Sequence, residues 1–360
     1  MSSTNRARGV NSKYKIHWNV VCYPSVGISI KLGAMSIFKD SSVLITGGTG
    51  SLGNALVNYL LTETQVRRVI VFSRDELKQL TMKSNLPKDS RLRWFIGDIR
   101  DRDRLSLAFH DVDFVIHAAA LKQVDTGEYN PSEFIKTNII GSQNVIDAAI
   151  ASKVKRVIAL STDKASSPIN LYGATKLTAD KLFIAGNNYG HSYGTIFSVV
   201  RYGNVMGSRG SVIPLFKSLA QQNKPLPITD ERMTRFWISI EEAVDFVIES
   251  LEMMKGGELY VPRIPSMKII DLAKAINPDA KIQEIGMRPG EKLHEEMISA
   301  DDSRRTIVTD TRYIVMPVVA EWDYKIPSGT PMSEGSAYRS DTNDKWMTEN
   351  DLREYLSKLK

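Results

Sequence analysis

Val43-Leu44-Ile45-Thr46-Gly47-Gly48-Thr49-Gly50-Ser51-Leu52-Gly53 is the stretch whose reading decides the fold. Its first four residues read as a buried strand, and the glycines at 47, 50 and 53 follow directly. Glycine there permits a tight turn and lets backbone N–H groups approach a pyrophosphate at the positive end of a helix. Such spacing alone fits any flexible turn. Placed at the first βα unit of an alternating chain, it marks a dinucleotide site formed by Gly47, Thr49, Gly50, Ser51, Leu52 and Gly53.

Working outward, short β-branched runs alternate with longer helical ones, which predicts an α/β fold with a doubly wound parallel sheet. The expected strands are Val43–Thr46, Arg68–Phe72, Arg93–Ile96, Phe114–His117, Arg156–Leu160 and Phe197–Arg201. Helical patterns fall near Leu52–Leu61, Arg102–Phe109, Pro131–Ala151 and Leu171–Asn187. After Gly203 the alternation loosens, with prolines at 214, 225, 227, 262 and 265. We therefore expect a Rossmann domain over 35–203 and a smaller, irregular substrate-binding lobe over 204–299, toward the C-terminus. A polar tail over 300–360 should end in a helix at Glu349–Leu359. Residues 1–34 read as an extension, with Met35 the expected effective start.

Composition narrows the function classes. Of the 360 residues, 42% are hydrophobic and 24% charged, ordinary for a globular protein. Net charge is +6, but basic residues are scattered among acids, so no nucleic-acid surface is expected. The single cysteine, Cys22, excludes an intrachain disulfide and a cysteine-based metal site; a cytoplasmic location follows as the default. No apolar run approaches the ~20 residues of a membrane helix, and no metal site is expected.

The end of the second strand separates the two nicotinamide cofactors, since an acid there binds a ribose 2′-hydroxyl and a base a 2′-phosphate. Here it reads Ser73-Arg74-Asp75, with Lys78 one turn on. A guanidinium grips phosphate as a fork, so Arg74 favours NADP. Asp75 keeps NAD open if Arg74 merely pairs with it. Asp98 and Ile99, after the third strand, are placed to meet the adenine, although Asp98 would also serve as a helix cap. Ala118 and Ala119 let a cofactor lie close, and Lys122 follows at the boundary between cofactor and substrate. His117 reads as a satisfied core histidine.

Ser161-Thr162-Asp163-Lys164 is followed by Tyr172-Gly173-Ala174-Thr175-Lys176. Of 13 tyrosines, Tyr172 alone has a lysine four residues later, which on a helix puts both on one face. A nearby ammonium lowers a phenol's pKa, so Tyr172 with Lys176 suits removal of a hydroxyl proton during hydride transfer. Thr162 supplies a hydroxyl to hold the reacting oxygen. In this order, glycine loop, Thr162, Tyr172 and Lys176 resemble the extended short-chain dehydrogenase/reductase superfamily.

Asp163-Lys164 adds a second acid/base couple, unless it is a surface ion pair. Beside a C4 ketone of a hexose, Lys164 would remove the C5 proton if burial lowers its pKa, and a protonated Asp163 would release the C6 oxygen as water. Hydride return to C6 would then regenerate the cofactor.

Ser-Thr-Asp-Lys-Ala, Asn-Leu-Tyr-Gly-Ala-Thr-Lys, Arg-Tyr-Gly-Asn-Val, Ser-Arg-Gly-Ser-Val, Met-Thr-Arg-Phe-Trp and Arg-Pro-Gly-Glu-Lys-Leu-His-Glu all occur. Together, between about Lys39 and Ser299, they resemble the inverting UDP-N-acetylglucosamine 4,6-dehydratase family of the pseudaminic acid pathway. The resemblance implies bound NADP, UDP-N-acetylglucosamine as substrate, and UDP-2-acetamido-2,6-dideoxy-β-L-arabino-hex-4-ulose as product. It also implies a homo-oligomer, hexameric or dimer-based, and leaves flagellin glycosylation, capsule or another envelope glycan open downstream. Retaining relatives carry glutamate beside the aspartate, so Lys164 favours inversion. Gln123 stands where family members commonly carry histidine, and Asp125 adds a charge; both bear on sugar specificity.

A UDP sugar needs cations and amide donors. Lys122, Asn204, Arg209, Gly210, Ser211, Val212, Arg235, Arg288 and Glu291 are expected to meet it, Arg209 and Arg288 at the phosphates. For Arg235, internal packing and an ion pair remain the competing role. Three other functions stay open: a sugar 4-epimerase or reductase using only Tyr172 and Lys176, a retaining 4,6-dehydratase, and a non-catalytic NADP-sensing module.

Overall fold

The computed structural model describes residues 37–208 and 210–358. The expected extension with its start at Met35, Cys22 and Arg209 lie outside the described residues.

Six parallel strands form the centre: β1 Ser42–Thr46, β2 Arg68–Ser73, β3 Leu92–Ile96, β4 Phe114–His117, β5 Arg156–Leu160 and β6 Ile196–Val200. Their order is β3-β2-β1-β4-β5-β6, with registers such as Ile45↔Val71 and Ile45↔Ile116. Chain order reverses between β1 and β4, the point where doubly wound sheets open a crevice at their carboxyl ends.

Alternation along the strands feeds a core on each face of the sheet. Leu44, Ile70, Val115, Val157 and Val199 pack on one side. Val43, Ile45, Val71, Ile116, Ile158 and Val200 pack on the other. Strands apolar on both faces are what a helix-covered parallel sheet requires. Truncating a fully buried member such as Leu44 to alanine costs about 2–5 kcal/mol.

The sheet continues past residue 203. Leu259–Pro262 adds a seventh parallel strand beside β6, and Arg312–Val315 pairs antiparallel with it. Thr306–Val308 and Thr330–Pro331 complete a ten-stranded sheet. The last 60 residues are therefore partly sheet edge; strands of two to four residues are too short to show a periodicity. Glu349–Lys358 forms the expected terminal helix, and Leu352 plugs a third core with Ile213, Phe216, Trp237 and Leu272.

One helix departs from expectation. Pro131–Ala151 is broken by a π-turn at Ile135–Ile140. The turn carries Asn138, whose amide accepts from Leu121 N at 2.8 Å and donates to Leu121 O at 2.9 Å and Thr175 Oγ1 at 3.0 Å. Insertions of this kind concentrate near functional sites; here Asn138 ties the loop after β4 to the helix carrying Tyr172.

Candidate active site

A cleft of about 760 Å³ opens at the carboxyl ends of β1 to β6. It brings together nearly every residue singled out from the sequence. On the cofactor side it is lined by Gly47, Thr49, Gly50, Ser51, Leu52, Gly53, Ser73, Arg74, Asp75, Lys78, Ile99, Ala118, Ala119 and Lys122. Thr162, Asp163, Lys164, Tyr172 and Lys176 line its centre. Asn204, Gly210, Ser211, Val212, Arg235, Arg288 and Glu291 line the far side, with Gln123 and Asp125. Asp98 is the exception among the described residues.

The glycine loop fits a dinucleotide. Gly47 has φ +69°, and a Cβ there would stand 2.8 Å from Ala119 N and 2.9 Å from Ala118 O. The small residues after β4 thus abut the loop, as expected. The Ser51–Glu63 helix begins at the cleft, and no side chain caps its first turn at Gly50. Its leading N–H groups suit a pyrophosphate.

At the end of β2 the charges sort differently from either sequence alternative. Asp75 caps the Glu76–Asn85 helix, accepting from Lys78 N at 2.9 Å, and pairs with Lys78 Nζ at 3.0 Å. Those bonds hold its carboxyl below the usual range. Arg74 is half exposed and lies 3.6 Å from Asp98, not Asp75. Asp98 itself is gripped by Arg100 at 2.7 Å. Burial alone would raise the Asp98 carboxyl, but Arg100 and Arg74 together pull it down. Asp98 is thus engaged by two guanidiniums, while its neighbours Gly97 and Ile99 line the cleft. His117 is a core residue as expected, bonded to Thr46 Oγ1 at 2.8 Å and pushed down to about 3 by burial and Lys176.

The centre of the site is a 3₁₀ turn, Asp163–Ala165, entered from β5. Thr162 Oγ1 donates to Asp163 Oδ1 at 2.9 Å, and Lys164 Nζ reaches the same oxygen at 3.1 Å. Asp163 is 1% exposed, so this is no surface pair. The Leu171–Ala185 helix packs on the turn through Gly173, where a Cβ would stand 2.2 Å from Lys164 O. Asn170 caps that helix, accepting from Gly173 N at 2.7 Å, and donates to Gly290 O at 2.8 Å.

Two electrostatic expectations are overturned. Tyr172 is pushed up to about 12 because burial outweighs the Lys164 ammonium and the Thr162 hydrogen bond that draw it down. Lys164 is raised, not lowered. Burial favours its neutral form, but the carboxylates of Asp163 and Glu295 outweigh burial and hold the ammonium above the usual lysine range. Lys176 is lowered by burial, with Asp180 opposing.

Glu295 was missed by the sequence reading. Its Oε1 lies 3.1 Å from Lys164 Nζ, and it is 1% exposed. The only signal was its place at the end of the Arg288–Glu295 motif. Arg235, expected at the substrate, spends its guanidinium on Thr234 O at 2.7 Å, Lys292 O at 2.9 Å and Leu293 O at 3.1 Å. It braces the loop that presents Glu295, 3.8 Å from its guanidinium, and also lines the cleft. Glu291 accepts from Arg288 N at 3.3 Å, closing that loop.

No helix among the described residues is long and apolar enough to cross a membrane, and no acid or histidine cluster suits a metal. A family model described as polysaccharide biosynthesis protein matches residues 43–317. The inverting UDP-N-acetylglucosamine 4,6-dehydratase of Campylobacter jejuni (strain 81-176) is 52% identical over 330 residues, covering 89% of this chain and 98% of the relative. A UDP-glucose 4-epimerase of Rickettsia bellii is 45% identical over 273 residues, covering 74% of this chain and 80% of the relative. Among solved structures, Pen from Bacillus thuringiensis aligns with TM-score 0.81 at 39% identity, covering 89% and 99% of the two chains. The dTDP-glucose 4,6-dehydratase DesIV from Streptomyces venezuelae, with NAD bound, aligns with TM-score 0.63 at 26% identity over 70% and 86%. With its glycine loop, its Tyr172–Lys176 pair and a relative matched almost end to end, the chain belongs to the polysaccharide biosynthesis protein family, among the inverting UDP-N-acetylglucosamine 4,6-dehydratases.

Proposed function

We propose that the protein is an NADP-dependent UDP-N-acetylglucosamine 4,6-dehydratase that inverts C5. The observation that supports this most is the Asp163–Lys164 pair, on a turn packed through Gly173 against the helix that carries Tyr172. An enzyme acting only at C4 has no use for that second couple.

A nicotinamide held by the Gly47–Gly53 loop supplies a reversible hydride acceptor. Tyr172 takes the C4 hydroxyl proton as its phenolate, a form that the positive charge of the bound oxidised nicotinamide would favour, with Thr162 holding the oxygen. The C4 ketone acidifies C5. Lys164 and Asp163 share one proton: as part of the barrier to elimination, the ammonium passes a proton to the carboxylate, a step the resting site disfavours. The free Nζ lone pair then takes the C5 proton, the C6–O bond breaks, and Asp163 protonates the departing oxygen. Both residues end as they began and one water is lost. Return of the hydride to C6 by the reduced cofactor, with reprotonation of C5 from the face opposite Lys164, would give UDP-2-acetamido-2,6-dideoxy-β-L-arabino-hex-4-ulose.

Arg74 supports NADP, since Asp75 is committed to capping. Asn204, Arg288, Glu291 and the Gly210–Val212 segment are assigned to the nucleotide sugar, which their position on the cleft supports. The single cysteine supports a cytoplasmic location. The resemblance supports a homo-oligomer and a product used in pseudaminic acid synthesis and flagellin glycosylation. Mass spectrometry after incubation with UDP-N-acetylglucosamine tests the assignment: the product should lack one water with no reductant added.

A UDP-sugar 4-epimerase is the second reading, favoured by the Rickettsia relative. It would use Tyr172 and Lys176 alone, and its product would keep the substrate's mass.

A further inference from the structure

Lys164 sits between two carboxylates, and only one takes part in the chemistry above. Glu295 Oε1 matches Asp163 Oδ1 in its 3.1 Å approach to Nζ. Its backbone is pinned on both sides: N donates to Ser340 Oγ at 2.9 Å, and O accepts from Ser340 N at 2.8 Å. Asp163 Oδ2 and Glu295 Oε2 are both buried without a hydrogen-bond partner among the described residues. Desolvating a second carboxylate beside an already neutral pair is costly, and Arg235, 3.8 Å from Oε1, compensates it only in part. Glu295 thus lies between two cations, the Lys164 ammonium and the Arg235 guanidinium, with its Oε1 set closest to the ammonium.

Building on the dehydratase reading, we propose that Glu295 is a positioning residue for the elimination step. It anchors the Lys164 ammonium and keeps the Asp163–Lys164 pair loaded with its shared proton at alkaline pH. No proton is transferred to Glu295 itself. Its negative charge opposes loss of the proton from the pair to solvent, which would leave Asp163 with nothing to give the C6 oxygen. The charged and titratable groups facing Lys164 are Asp163 on its own turn, Glu295 and Lys292 from the 288–296 segment, Arg235 from the Thr234–Ile238 strand, and Tyr172. The two carboxylates dominate, and Lys164 stands above the usual lysine range.

The test compares wild type, Glu295→Gln and Glu295→Asp in two pH profiles. One follows water loss from the sugar by mass spectrometry, which reports the proton-loaded Asp163–Lys164 pair; the other follows the nicotinamide absorbance change of a single turnover, which reports Tyr172. Glu295→Gln should bring the alkaline limb of water loss down by about one pH unit or more, as expected for losing an opposite charge at contact. Glu295→Asp, keeping the charge further back, should move it the same way but less, and preserves the test if the glutamine variant fails to fold. The C4 oxidation profile should keep its shape. An unmoved alkaline limb of water loss in a folded variant, whatever its amplitude, overturns the proposal. Absence of water loss in wild type would instead remove the dehydratase reading beneath it.

Discussion

Gly173 and Lys164 are in backbone contact: a Cβ on Gly173 would stand 2.2 Å from the Lys164 carbonyl oxygen. The helix carrying Tyr172 and the turn carrying Asp163 and Lys164 are thereby fixed to one another by main-chain sterics. Both halves of the proposed chemistry depend on that fit.

Gly173→Ala should therefore separate the halves physically. Overpacking of this kind costs about 1–3 kcal/mol, visible as a lowered midpoint in thermal unfolding. Dehydration should fall by about 10²-fold or more, because a displacement of an ångström at a catalytic group is enough. A variant with wild-type turnover would show that the contact does not set the geometry.

Tyr172→Phe and Lys164→Ala should fail at different steps. Without the phenol, no nicotinamide absorbance change should follow addition of substrate, and turnover should drop about 10²–10⁴-fold. Without the amine, the absorbance change should persist while C5 exchange and water loss drop by a similar factor. If both variants lost C4 oxidation equally, Lys164 would not belong to a separate step.

His117 carries a pH prediction for stability. Its folded value of about 3 lies below the ordinary 6.5, so between these values the unfolded chain binds a proton that the folded chain excludes. Stability from this source is complete above pH 6.5 and is lost as pH falls toward 3, by about 1.4 kcal/mol per unit at most. Denaturant unfolding at descending pH should give wild type a steeper loss than His117→Asn. Equal slopes would mean the ring is protonated when folded.

Arg74 should decide the cofactor. Its guanidinium is half exposed and held only by Asp98 at 3.6 Å, whereas Asp75 is occupied by Lys78. Arg74→Asp should shift the dinucleotide preference from NADP toward NAD by about tenfold or more, read by competition binding, as expected for losing a charge-assisted phosphate contact. An unchanged preference would move recognition elsewhere.

The sheet centre was legible because buried parallel strands are apolar on both faces, and β1 through β6 fall within a residue or so of their expected limits. The nucleotide loop and the Asp163–Lys176 stretch were legible because their residues are close in the chain. Glu295 was not, since nothing local joins it to Lys164; only the folded contact does. The π-turn at Asn138 was equally hidden, because a single extra residue leaves the apolar period of Pro131–Ala151 nearly intact. The charge on Lys164 was misjudged for the same reason: burial was foreseen from the sequence, the second carboxylate was not.

The most direct test of the central claim, that one cleft oxidises C4 and eliminates across C5 and C6, is proton NMR of the product formed from UDP-N-acetylglucosamine in deuterated water. The account predicts a C6 methyl, deuterium at C5 and the inverted C5 configuration. A product retaining its C6 hydroxyl and its C5 proton, altered only at C4, would contradict it.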